Sequence, residues 1–157
     1  MNRNIYDWLD EYEKYHKNPI NKIIHWFCVP MIMLSLFGLL SLHEIKFHIF
    51  NLDLNIKLNL FFIIIAIIFY TRLSLTITFG MLAISSIMLL IIDYILIYDT
   101  KTLFYFYLSI FIFSWIIQFI GHKIEGKKPA FIKDLKFLLI GPAWLLSFIY
   151  KKFRIKI

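Results

Sequence analysis

Apolar residues dominate five stretches of the chain, and short polar segments separate the stretches. In chain order they cover 26–42, 58–70, 73–98, 103–121 and 137–150. A helix needs about 20 apolar residues to cross a bilayer, so the first four stretches predict about four spans, the second of them short. The last stretch is too short to cross and is interrupted by Gly141-Pro142. The pattern therefore predicts an all-α, multi-pass transmembrane helical bundle, folded as a single membrane-embedded domain over 1–157.

Polar and apolar residues at the N-terminus alternate with a helical period. Ile5, Trp8, Leu9 and Tyr12 recur at spacings of three and four, which is typical of an amphipathic helix. Asn18 precedes a proline, so we expect it to end that helix and to cap the next one. The predicted helices are an amphipathic helix at 4–17, span-containing helices at 19–42, 58–71, 73–98 and 103–125, and a re-entrant or interfacial segment at 133–153. Residues 43–57 are predicted to form a polar loop.

Composition changes the class of protein that the pattern describes. Hydrophobic residues make up 61% of the chain, more than the 45 to 50% of a soluble domain, so most of the surface is expected to face lipid. The net charge of +7 fits orientation by basic segments and contact with anionic lipid, and we expect no nucleic-acid partner. Residues 1–17 do not resemble a signal peptide. The single Cys28 excludes an intrachain disulfide and a cysteine-based zinc cluster.

The span count sorts the five histidines into two groups. With four crossings, His16, His25 and His122 end on one face, which the basic segments predict to be cytoplasmic. His43 and His48 end on the other face. The first group is a candidate metal cluster, since histidine is the commonest side-chain metal ligand.

Two helical stripes carry the remaining polar candidates. Asn21 and His25 are four residues apart, and Gln118, His122 and Glu125 share one face of a later helix. A bundle can bring both stripes to one mouth, where such sites are often built. From the pattern alone, a metal site and a set of interfacial side chains that only satisfy helix ends remain equally open.

Other polar or aromatic residues have a simpler interpretation. Asp93 is the only charge in its run and is expected to reach the opposite interface. Trp144 is expected to anchor the helix at the interface. Lys123, Lys127 and Lys128 can hold a substrate carboxylate or face lipid phosphates.

The two polar blocks resemble a known membrane family, the one that includes the fungal 2-hydroxy fatty acid dioxygenase. The resemblance is carried by Tyr15-His16, Asn18-Pro19, Asn21, His25, Pro30, Gln118, Gly121-His122, Glu125, Lys128-Pro129-Ala130 and Gly141-Pro142. It implies a multi-pass helical bundle and an iron(II)-dependent α-oxidation. In that reaction a 2-hydroxy fatty acid and O2 give the acid one carbon shorter. The family often has an acidic residue after Gly-Pro where this chain has Ser147-Phe148, which shifts any carboxylate role to Glu125.

The resemblance implies specific roles for the site residues. His16, His25 and His122 would hold Fe(2+), and Glu125 would be a fourth ligand or a base beside it. Asn21 and Gln118 would orient imidazoles or bind the substrate carboxylate, and Lys123 and Lys128 are further substrate candidates. The expected partners are a 2-hydroxy fatty acid, O2 and membrane lipid, and the oligomeric state stays open.

Alternatives to this function remain. One is another metal-dependent membrane lipid hydroxylase or hydrolase that uses the same histidines. The other is a non-enzymatic lipid-binding or transport bundle, although no polar stripe follows the spans. In each case the expected location is an integral membrane one, in a bacterial inner membrane or the endoplasmic reticulum.

Overall fold

The computed structural model describes residues 3–49, 52–132 and 135–157, and within these ranges the chain forms six α-helices and one β-hairpin. The elements, in order, are α1 (Ile5–Glu13), α2 (Pro19–Ser41), β1 (Glu44–Ile49), β2 (Leu52–Lys57), α3 (Leu58–Thr71), α4 (Leu75–Ile95), α5 (Thr100–Glu125), a single 3-10 turn (Ala130–Ile132) and α6 (Phe137–Lys152). The predicted helical bundle is confirmed, and the hairpin is added to it.

The first two helices begin at residues that satisfy free backbone N–H groups. Asn4 and Asp7 form a reciprocal capping box at the start of α1. Asn18 accepts from the N–H of Ile20, with Pro19 as the first residue of α2, which confirms the predicted cap.

Helix α1 ends at Glu13, four residues before the predicted end at 17. The N–H groups of Tyr15 and His16 bond to carbonyls only three residues back, at Tyr12 and Glu13, so the chain tightens into a turn. The Tyr12 carbonyl also accepts from the His16 ring. His16 therefore lies in the connection between α1 and α2 and not on a helical face.

The segment 43–57, predicted as a polar loop, is a β-hairpin. Its strands pair antiparallel, with Glu44 opposite Lys57 and Phe47 opposite Leu54. Apolar residues occupy every second position of both strands, which is the period of a strand, and the intervening polar residues lowered the average hydropathy. Residues 50 and 51, between the strands, lie outside the described part of the chain.

Among the described residues, three helices are long and apolar enough to cross a membrane: α2, α4 and α5. Helix α3 is apolar but has only 14 residues. The structure begins α4 at Leu75, where Ser74 caps it, and ends it at Ile95, against the predicted 73–98. Asp99 caps α5, so that helix begins three residues before the predicted 103. Asp93 reaches an exposed position and pairs with Lys57 at 3.0 Å, as expected of a carboxylate at the far interface.

The outer surfaces of these helices are strongly apolar. Phe27, Phe79 and Leu90 are each about 70% exposed. A soluble monomer rarely exposes such contiguous apolar area, so the surface fits a membrane protein.

Helix α6 is the best-buried helix, although its sequence predicted a re-entrant or interfacial segment at 133–153. It begins at Phe137, and residues 133 and 134 lie outside the described part of the chain. Ile140, Ala143 and Trp144 are at most 2% exposed and join a core cluster with α1, α3 and α4. A second core cluster, around Phe37, fills the opposite end of the bundle. The histidine site lies beside the first cluster, whose Tyr12 and Trp144 contact His16.

Candidate metal centre

Three histidines from separate elements converge at the end of the bundle near α6. His16 comes from the α1–α2 connection, His25 from α2 and His122 from α5, and all three are buried. One nitrogen of each lies within 4.8 Å of the others, an arrangement that could hold a metal ion. His43 and His48 lie at or in the hairpin, at the other end of α2, and are exposed. The structure thus brings together the three histidines that the span count grouped.

Hydrogen bonds fix the protonation of two of these rings. Nδ1 of His16 donates to the Tyr12 carbonyl at 2.8 Å, and Nδ1 of His25 donates to the Asn21 carbonyl at 2.9 Å. A carbonyl can only accept, so each Nδ1 carries the proton and each Nε2 presents a lone pair. The two Nε2 atoms face each other at 3.1 Å.

A cation between or beside the two rings would stabilise this pair of facing lone pairs. Burial and the neighbouring His25 lower the pKa of His16 to about 3, which disfavours a protonated ring at this position. Two nitrogens bound to one metal ion at about 2.1 Å and a right angle lie about 3 Å apart, close to the observed separation. Nδ1 of His122 is buried without a hydrogen-bond partner in the described part of the chain. The donor set fits a metal ion.

Two aromatic residues hold His16 in place. The ring of Tyr12 stacks on the imidazole at 4.1 Å between centroids, and the ring of Trp144 lies 5.2 Å away. The sequence assigned Tyr12 to the packing face of α1 and Trp144 to an interfacial position. Trp144 is only 2% exposed, so the interfacial assignment is wrong. Its position within an apolar run gave no signal of the site, because the contact between α6 and α1 is purely tertiary.

Glu125 binds the backbone of Lys17 and Asn18 in the connection between α1 and α2, which we call the corner. Its two carboxylate oxygens accept from the N–H of Lys17 at 2.9 Å and of Asn18 at 2.8 Å. The Asn21 amide donates to it as well, at 3.2 Å. The predicted alternatives for this carboxylate were a fourth ligand or a base. In the structure, its oxygens accept hydrogen bonds from the backbone of the segment that carries His16.

Asn21 orients His25 through its backbone carbonyl and not through its side chain. The side chain is fully buried, donates to Glu125 and the Tyr15 carbonyl, and leaves Oδ1 without a described partner. A Cβ placed on Gly121 would lie 2.5 Å from that Oδ1. Gly121 therefore allows α2 and α5 to approach at the level of the histidines.

A pocket with about 440 Å³ of empty space opens beside the three rings. Gln118, one of the predicted residues, lines it together with Tyr12 and all three histidines. Lys123 and Lys128 are exposed and do not line it, so the structure does not bring these predicted substrate residues to the cluster.

Comparisons with known proteins identify the family of this chain. Residues 2–153 match the family model described as "2-hydroxy-palmitic acid dioxygenase Mpo1-like". The chain is also 33% identical over 144 residues to the 2-hydroxy-palmitic acid dioxygenase MPO1 of Saccharomyces cerevisiae, covering 89% of this chain and 76% of that protein. No solved structure matches. Because the family model spans nearly the whole chain, including the segments that carry the three histidines, this protein belongs to the Mpo1-like family.

Proposed function

We propose that this protein is an iron(II)-dependent dioxygenase that shortens 2-hydroxy fatty acids by one carbon with O2. The observation that carries the proposal is the histidine cluster, in which the Nε2 atoms of His16 and His25 face each other at 3.1 Å and one nitrogen of His122 lies within 4.8 Å of the other two ligand atoms. Membership of the Mpo1-like family supplies the substrate class. Imidazole ligands suit iron, and they also suit zinc, copper and nickel, so the metal has to be tested directly.

The reaction balances without a separate reductant. A 2-hydroxy acid and O2 give the acid shortened by one carbon, CO2 and water, with cleavage of the bond between the carboxyl carbon and the hydroxylated carbon. The substrate supplies all four electrons that reduce O2, so no 2-oxoglutarate or haem is required. A bound ferrous ion would supply the redox chemistry with O2 and an anchor for the hydroxyl and carboxylate oxygens.

The pocket residues would orient the substrate around that ion. Gln118 offers an amide that can donate to a carboxylate, and the Tyr12 hydroxyl is a second polar group in the lining. Trp115, Phe131 and Phe137 make up an aromatic wall that limits access of water. Lys123 and Lys128 take no part in this proposal.

Anaerobically purified protein tests the proposal through its metal content and its product. We expect about one iron per chain, and the acid one carbon shorter by mass spectrometry when a 2-hydroxy acid is supplied with O2. His122→Ala should reduce both iron content and product at least about hundredfold, because it removes one of three ligands. The matched control is His43→Ala, an exposed histidine at the other end of α2, which should change neither.

Three outcomes would contradict the proposal. Zinc in place of iron would favour a hydrolase, and a product that retains every carbon would favour a hydroxylase. Lipid binding that survives complete metal removal, with no product from any 2-hydroxy acid, would favour a non-enzymatic bundle.

A further inference from the structure

A second cavity lies inside the bundle, between the histidine cluster and the far core. It has about 790 Å³ of empty space, part of which is open to the surroundings, and is lined by residues from α2, α3, α4, α5 and α6. Among the described residues that line it, Tyr70 and Ser85 carry the only hydroxyl groups, and none has a charged side chain. The Tyr70 hydroxyl donates to the Leu139 carbonyl, so its proton is not available to a molecule in the cavity. The cavity is therefore suited to hydrocarbon.

This cavity adjoins the pocket at the three histidines. Five residues line both: Ile32, Met33, Trp115, Leu138 and Pro142. These shared side chains are all that separates the two spaces, so a molecule with its polar end at the histidines would reach the second cavity by passing between them.

The helices that line the cavity give its depth. Phe37 lies 12 residues after His25 on α2, which corresponds to about 18 Å at 1.5 Å per residue. Phe111 lies 11 residues before His122 on α5, which corresponds to about 16 Å. An extended hydrocarbon chain advances about 1.3 Å per C–C bond of about 1.5 Å, so this depth corresponds to roughly 13 bonds. The pocket and the cavity together therefore have the length of a long-chain acyl tail, measured from the histidines to Phe37.

Phe37 and Phe62 form the far end of this space. Their rings pack edge to face at 6.1 Å, and Phe37 is 3% exposed and belongs to the second core cluster, which fills the bundle beyond it. Ser85 on α4 also lines the cavity, and the short α3–α4 connection places it at about the level of Phe62. Ser85 is the small residue at this level, where added volume would shorten the cavity.

We infer that this cavity binds the acyl tail of the substrate and that its far end, at Phe37, Phe62 and Ser85, sets the preferred chain length. The inference rests on the proposed function for the identity of the polar head group. The apolar lining, the position next to the histidine pocket and the distance from the histidines to the far end support the tail site independently.

The first arm of the test measures chain-length preference in a mixture of 2-hydroxylauric, 2-hydroxymyristic and 2-hydroxypalmitic acids. The product ratio does not depend on how much of a variant folds. Ser85→Leu should shift the ratio toward the shorter acids by about tenfold or more, because the longest tail no longer fits. The control is Ser109→Leu, the same change at an exposed position of α5, which should leave the ratio unchanged. An unchanged ratio in Ser85→Leu would overturn the inference.

The second arm needs no activity and uses metal-free protein. Palmitic acid with a diazirine at its terminal carbon should label peptides that contain Phe37, Phe62 or Ser85 after illumination. Label found only at lipid-facing positions such as Phe113 would overturn the inference. Label at the far end, without product from any 2-hydroxy acid, would support the tail site while contradicting the proposed reaction. Product formed from a 2-hydroxy acid, with label found elsewhere, would support the proposed reaction and contradict the tail site.

Discussion

At the scale of single residues, Glu125 shows the clearest difference between the role expected from the sequence and the contacts found in the structure. An acidic residue three positions after a candidate ligand suggests a metal ligand or a base. In the structure its carboxylate accepts two backbone N–H groups from Lys17 and Asn18, next to His16. Removing the carboxylate would leave both donors without their partner and would free the corner that positions the first histidine.

We predict that Glu125→Ala lowers the affinity for iron(II) by about tenfold or more, because residues that orient ligands have effects of this size. The measurement is a titration of metal-free protein with iron(II) under anaerobic conditions. Glu125→Gln should lose less, since its amide oxygen still accepts from one backbone N–H. Glu44→Ala, at an exposed position of β1, is the control. Wild-type affinity in Glu125→Ala would rule out the corner contact as a determinant of metal binding.

At the scale of elements, the docking of α1 on α6 determines where His16 lies. Trp8 packs edge to face on Phe137 at 5.3 Å, and Tyr12 packs on Trp144 at the same separation. His16 follows α1 by three residues, so a shift of α1 would move it directly. Helix α6 thus supports the metal centre without contributing a histidine to it.

Trp144→Ala should therefore remove metal binding as well as stability. Truncating a buried tryptophan costs about 3 to 5 kcal/mol, and here it also removes the ring beside Tyr12 and His16. We expect a large fall in the unfolding midpoint of the metal-free protein and loss of iron from the purified protein. Trp26→Ala, which truncates a tryptophan 39% exposed on α2, should retain iron. Equal iron contents in the two variants would show that α6 does not position the centre.

At the scale of the whole molecule, four apolar helices connect the end with the hairpin to the end with the histidine cluster. Three of them are long enough to cross a membrane, and α3 is shorter. We predict that all four cross, which would place α1, the histidine cluster and the basic residues after α6 on one side and the hairpin on the other. The basic tail is expected to face the cytoplasm.

Cysteine labelling in sealed vesicles tests this arrangement. We predict that Asp10→Cys and Lys156→Cys react with a membrane-impermeant maleimide from one side, and Lys46→Cys from the other, since all three positions are exposed. The native Cys28 is buried and should stay unlabelled until the protein is denatured, which makes it an internal control. Reaction of all three positions from the same side would contradict four crossings.

Local patterns were sufficient for the helical part of the fold and for the candidate histidines. Apolar runs and the Asn18-Pro19 corner are properties of consecutive residues, so the bundle and the cap of α2 could be predicted from them. The hairpin was also a local pattern, with alternating residues such as Ile45 and Phe47. It was missed because an average over the segment hides a period of two.

The sequence by itself determined that the protein is a membrane helical bundle and that His16, His25 and His122 end on one face. The proton positions on His16 and His25 also follow from local contacts, because each ring donates to the carbonyl four residues back. Tertiary structure alone brought the three rings together, placed Glu125 against the backbone of Lys17 and Asn18, and formed the apolar cavity between helices. The physical reason is that periodicity specifies which face of a helix is buried, whereas contacts between helices specify what that face meets.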